Sequence, residues 1–173
     1  MVQTVEILLD SSILIEYSKG TKRELMIEML NHSATRLYYE TTVVSEYLYH
    51  FLGFHGEKAP RTLKENKRIS EILTERDVKK LFSLFSQLTT NIPRVDEVLR
   101  FMESYNLLSN DAIILAHCKS ARMRFVASYD SDFVIPCERE SITLIDSFEA
   151  FQKIVSIWYP RPALHRSWIS THL

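Results

Sequence analysis

Five carboxylates occupy positions where a carboxylate can do chemistry. Asp10 follows an apolar run at residues 5–9, and Asp130 and Asp132 follow a second run at 124–128. Asp111 falls in the first turn of an apolar helical segment, where free backbone N–H groups favour an anion. Glu46 lies early in a helical segment at 42–52. In an open parallel sheet, ligands bind outside the carboxyl ends of the strands, which is where Asp10, Asp130 and Asp132 are expected. If these groups converge they repel: two carboxylates about 5 Å apart cost roughly 3 kcal/mol at an effective dielectric of about 20. Such a cluster calls for protons or a cation, and an all-oxygen donor set suits Mg²⁺ or Mn²⁺. A centre of that kind can bind a phosphodiester and activate water for in-line attack. Each acid by itself also reads as a helix cap or a solvated charge. Asp130 and Asp132 can cap a short turn at 131–133, and Asp111 can serve a helix opened by Ser109. Spacing alone leaves both readings open.

The elements that must position these acids follow from periodicity. Residues 5–9 read as a strand ending at Asp10, with Ser11 and Ser12 as helix caps, and 12–18 and 22–31 as helices. Residues 36–40 have strand character. The helix at 42–52 is expected to stop at Gly53, with 53–60 as a loop. Residues 62–90 read as two helices with a basic face: Arg61, Lys64, Lys67 and Arg68, then Arg76, Lys79 and Lys80. An amphipathic helix at 95–105 precedes the segment 110–122, which is apolar nearly all round and so expected to be buried. Strands at 124–128 and 142–145 and a closing helix at 147–156 complete the pattern. Strands separated by helices imply a central parallel sheet with helices on both faces, a three-layer α/β/α sandwich. The organisation expected is one domain over residues 1–156, with a basic helical insertion at about 54–90 and a tail at 157–173.

Composition narrows the function. The chain has 173 residues, 46% of them hydrophobic, enough to fill one unaided core. Its three glycines, Gly20, Gly53 and Gly56, cannot write a GxGxxG or Walker-type loop, so a glycine-built phosphate cradle is excluded. The net charge of −1 announces no general polyanion binding. Cys118 and Cys137 have no metal-ligand spacing, and Cys118 reads as a small buried hydrophobe. No apolar run reaches membrane-spanning length and no basic leader precedes the first strand, so a cytoplasmic protein is expected.

Four stretches in order carry a resemblance to a known family. Leu8-Leu9-Asp10-Ser11-Ser12 forms a strand end with its aspartate and small hydroxyl residues. Val43-Val44-Ser45-Glu46-Tyr47-Leu48 is a helix bearing an acid. Leu108-Ser109-Asn110-Asp111-Ala112-Ile113 opens an apolar run on an Asp-Ala pair, and Ser128-Tyr129-Asp130-Ser131-Asp132-Phe133 closes a strand. Together, over residues 4–148, these resemble the PIN-domain nucleases, in particular the ribonuclease toxins of prokaryotic toxin–antitoxin pairs. The resemblance implies a PIN-like fold and hydrolysis of RNA phosphodiester bonds with Mg²⁺ or Mn²⁺. It implies Asp10, Glu46, Asp111 and Asp130 as catalytic metal-binding acids, Asp132 assisting, and Ser11 or Ser128 supporting them by hydrogen bonds. The attacking group would be metal-activated water, with no protein nucleophile. The expected partners are an RNA substrate, an antitoxin protein and a second copy of the chain in a homodimer. Two alternatives stand beside this reading: a non-catalytic PIN-type module that binds RNA or protein, and a structure-specific DNA nuclease. A phosphotransferase of the haloacid-dehalogenase type needs a second aspartate two positions after Asp10, where Ser12 stands.

Other candidates have plainer readings. His50 shares a helix face with Glu46, but a zinc HExxH motif fails because Ser45 occupies its first position. His117 lies off the face of Asp111 and reads as structural. Tyr47, Tyr49 and Phe51 read as core. The basic face at 61–68 is a nucleic-acid candidate or a solvated helix face. Trp158, Tyr159, Arg161, Arg166 and Trp168 mix rings and cations as single-strand binders do, or dock as a tail.

Overall fold

In the computed structural model, residues 4–89 and 92–158 are described. The first strand, β1 (Val5–Leu9), is buried on both faces except at Glu6, which suits the centre of a parallel sheet. Helix α1 (Ser11–Lys19) follows at once and stops at Gly20, whose φ of +80° only glycine adopts without strain. Helix α2 (Arg23–Asn31) buries Leu25, Met26 and Met29 and leads into β2 (Thr35–Tyr39), parallel to β1 with Leu8 opposite Tyr38.

Helix α3 (Thr41–Gly56) runs past Gly53, where the sequence reading stopped it. Gly56 explains the extension: a β-carbon there would collide with the Leu63 and Ile72 side chains. Glycine is therefore present in the last turn for close helix packing, not for a loop. Leu63 and Ile72 belong to α4 (Pro60–Glu65) and α5 (Ile69–Glu75), both short, and α6 (Val78–Phe82) follows. The expected pair of helices at 62–90 is thus three, and it ends in a strand, β3 (Ser86–Gln87), which pairs with the edge of β2. Two residues are too few for a periodicity to be legible.

Helix α7 (Val95–Tyr105) packs on α8 (Ser109–Ser120), which buries Ala112, Ile114, Leu115, Ala116 and Cys118 as its all-round apolar pattern requires. Strand β4 (Phe125–Ala127) is wholly buried. It leads through a 3-10 turn at Ser131–Phe133 into α9 (Val134–Arg139), β5 (Thr143–Ile145) and α10 (Phe148–Trp158). The last helix therefore passes the expected boundary at 156 by two residues. The rest of the expected tail, Tyr159, Arg161, Arg166 and Trp168 included, lies outside the described residues.

All pairings among the five strands are parallel, in the order β3-β2-β1-β4-β5. The chain builds outward from β1 to β3, then crosses back to lay β4 on the other side of β1. The order reverses between β1 and β4, and a crevice opens there outside their carboxyl ends. Helices α2 and α10 pack together beside β2 and β5, while α1, α3, α8 and α7 pack in succession, giving the three-layer α/β/α sandwich. Tyr47 and Phe51 lie in the core, as expected. Tyr49 does not: it is 59% exposed, because its place on α3 turns it away from the sheet.

Candidate metal centre

The crevice between β1 and β4 holds the acids. Asp10, immediately after β1, is 3% exposed and caps α1. Its Oδ1 accepts from Ser11 N at 2.6 Å, and its Oδ2 from Ser12 N at 3.3 Å. Two hydroxyls also donate to Oδ2, Ser12 Oγ at 2.6 Å and Ser128 Oγ at 2.7 Å. The same hydroxyls accept from the β4 end of the crevice. Tyr129 N donates to Ser12 Oγ at 3.0 Å, and Asp130 N donates to Ser128 Oγ at 2.9 Å. Serines 116 positions apart thus tie the two strand ends into one polar unit. Ser11 and Ser128 were expected in support. Ser12 is at least as engaged, and the Asp-Ser-Ser run could have signalled it.

Asp130 follows β4 and caps the 3-10 turn, its Oδ1 accepting from Asp132 N at 2.9 Å. Asp111, in the first turn of α8, brings its carboxylate to this pair: one oxygen each of Asp111, Asp130 and Asp132 lie within 4.8 Å of one another. Glu46 projects from α3 and is held by Asn110 Nδ2 at 3.3 Å. Asp10, Glu46, Asp111 and Asp130 line one cavity of about 260 Å³, with His50 and Lys19 also on its wall. The four acids singled out from sequence thus line one cavity, while the group whose oxygens come within 4.8 Å is Asp111, Asp130 and Asp132, with Asp10 and Glu46 outside it. Asn110 was missed as a site residue. Its adjacency to Asp111 was the available signal.

The electrostatics are those of mutual repulsion. Burial, then the charges of Asp10, Asp130, Glu46 and Asp132 in that order, push the Asp111 carboxyl up to about 7 from an ordinary 3.8. Near neutral pH this site gives up its last proton reluctantly, and a cation in the same place would relieve the same repulsion. The donors are all carboxylate oxygens with hydroxyls behind them, and none is a thiol. His50 and Glu46 share the cavity, yet His50 does not join the three-carboxylate cluster. Hard divalent cations fit that set and soft ones do not.

One further acid escaped the sequence reading. Glu40, immediately after β2, is 1% exposed and caps α3, accepting from Thr42 N at 2.7 Å and Val43 N at 3.0 Å. Its near neighbour is His117 Nε2 at 3.8 Å. Burial lowers the His117 pKa, with Glu40 pulling the other way.

Comparison with known proteins bears on the family and the fold. A sequence model described as the PIN domain matches residues 7–136. Ribonuclease VapC2 of Methanocaldococcus jannaschii is 30% identical over 129 residues, 74% of this chain and 87% of the relative. Ribonuclease VapC6 of the same organism is 30% identical over 138 residues, 73% of this chain and 90% of the relative. Among solved structures, PAE2754 from Pyrobaculum aerophilum superposes with a TM-score of 0.55 at 16% identity, covering 87% of this chain and 90% of that one. A toxin–antitoxin complex from Klebsiella pneumoniae gives 0.50 at 17% identity over 80% and 95%. At such identities the structural likeness is one of fold.

Proposed function

This chain belongs to the PIN domain family, and on that premise we propose that it is a divalent-metal-dependent endoribonuclease of the toxin type. One observation carries the reading: the carboxylates of Asp111, Asp130 and Asp132 meet within 4.8 Å, in a crevice that Asp10 and Glu46 also line. Asp10, Glu46, Asp111 and Asp130 would hold Mg²⁺ or Mn²⁺, with Asp132 assisting. Held there, a cation would supply Lewis-acid charge that assists in-line attack of water on phosphorus.

The chain's own residues do the positioning. Ser12 and Ser128 hold Asp10 in one rotamer, so its oxygens are aimed before substrate arrives. Asn110 orients Glu46 in the same way. Asp111 carries a proton on part of the population near pH 7 and releases it as the pH rises, so cation loading is favoured above neutrality. The same premise proposes residues 1–156 as the nuclease unit, an antitoxin protein and a second copy as partners, and a cytoplasmic location. No helix among the described residues is long and apolar enough to cross a membrane.

The test is a Mn²⁺-dependent cleavage assay on single-stranded RNA and single-stranded DNA, with chelator and Asp111→Asn as controls. RNA cleavage that needs the cation and fails in the variant is expected. Cleavage that survives either control removes the assignment.

A further inference from the structure

Beside the acidic cavity lies a second feature that the nuclease reading leaves unused. His50 lines the acidic cavity, four residues after Glu46 and on the same face of α3. Its ring lies 5.9 Å from that of Tyr49, edge to face. Tyr49 in turn forms one wall of a separate groove of about 710 Å³ between α3 and α4, lined also by Leu52, Pro60, Arg61, Lys64 and Glu65. The path from Glu46 to Tyr49 is about one helical turn, roughly 5 Å along the axis. The chemistry along it changes from carboxylate, to imidazole, to an exposed phenol, to cations.

That order suits a nucleic-acid strand. Acids are needed only where a phosphate is to meet a cation; beyond that point bare carboxylates repel the backbone, and cations with a flat ring serve it better. Tyr49 presents a ring that no core contact requires, and Lys and Arg outnumber Asp and Glu over residues 60–82. Arg61 meets Glu65 at 3.2 Å, but at 90% and 62% side-chain exposure that pair contributes little and leaves the guanidinium free to exchange partners. We propose that single-stranded RNA flanking the scissile phosphate runs from the acidic crevice over His50 and Tyr49 into this groove, a base stacking on Tyr49 and phosphates contacting Arg61 and Lys64. The inference rests on the nuclease reading of the crevice and adds the direction and contacts of the strand.

The test measures binding of a fluorescent twelve-nucleotide RNA to the full chain in chelator, so that cleavage and cation loading play no part. Arg61→Ala with Lys64→Ala is expected to weaken binding about tenfold and to lower the slope of log affinity against log salt by about 1.4, at 0.7 per lost phosphate contact. Tyr49→Ala is expected to lose about fivefold or more by stacking, with Tyr49→Phe retaining wild-type affinity. All three positions are exposed on helices, and thermal melting verifies that each variant folds. Unchanged affinity and slope in the double variant overturns the proposal, as does equal binding by the two Tyr49 variants. Tighter binding of a polyglutamate probe than of RNA, lost in the double variant, assigns the groove to an acidic protein and also overturns it. The nuclease reading stands or falls separately. RNA cleavage with an unchanged KM in the double variant removes the track alone, and RNA binding through Arg61 and Lys64 without any cleavage removes the nuclease alone.

Discussion

Two neighbouring strands end in the same way and come to different chemistry. Leu8 pairs with Tyr38, so Asp10 and Glu40 stand two residues beyond paired positions on β1 and β2. Each is almost fully buried, and each caps the helix that follows, Asp10 through the amides of Ser11 and Ser12 and Glu40 through those of Thr42 and Val43. Around Asp10 the fold gathers two hydroxyls and three or more further acids. Beside Glu40 it places His117. An acid at the end of a parallel strand is therefore first a helix cap. It can serve a cation, as proposed for Asp10, only where crossing elements deliver more carboxylates, and here they do so at the reversal of strand order between β1 and β4.

The contrast can be broken most directly by activity. Asp10→Asn should reduce Mn²⁺-dependent RNA cleavage by more than about 100-fold, beyond what groups behind a ligand typically cost, while Glu40→Gln should lose less than about tenfold. Initial rates decide it, and equal losses would show that both strand ends serve the reaction. Stability without metal is the next largest effect. The Asp111 carboxyl sits near 7 in the folded chain against 3.8 ordinarily, so the folded state is favoured below pH 4 and loses that advantage as pH rises to about 7. Asp111→Asn should therefore raise chelator-treated stability at pH 8 by up to about 4 kcal/mol, less where solvent screens the repulsion, and should gain nothing at pH 4. Melting curves at the two pH values measure the difference.

Glu40→Ala should go the other way, destabilising by about 1–2 kcal/mol through loss of the α3 cap, with urea midpoints as the readout. A gain in metal-free stability there would mean that Glu40 belongs to the repelling cluster after all. The smallest effect is expected at Asn110. Its replacement by alanine frees Glu46 and should weaken Mn²⁺ binding about tenfold or less, as titration calorimetry can measure.

Much of this was legible before the fold. The apolar run before Asp10 and the all-round apolar helix after Asp111 announced their elements because burial demands those patterns. Glu40 was not legible, since the run at 35–39 is half exposed and its terminal acid looks like the edge of a surface strand. Gly56 read as a loop residue because the reason for it, the side chains of Leu63 and Ile72, lies on other helices. Tyr49 was grouped with Tyr47 and Phe51, yet two residues along a helix is just over half a turn, which turns it outward. Strand β3 was hidden by its length.

The sequence by itself determined which acids follow strands or open helices, that hydroxyls stand beside Asp10 and Asp130, and that no glycine cradle exists for phosphate. Its near-neutral charge of −1 even conceals a division of labour, because several acids are gathered in one crevice while cations predominate along residues 60–82. Only the tertiary structure decided which carboxylates share a site. Local propensity places a cap within its own turn, but the approach of Ser128 to Asp10 across 118 positions depends on laying β4 against β1. That pairing follows from burying both strands together, and convergence of the acids is its consequence.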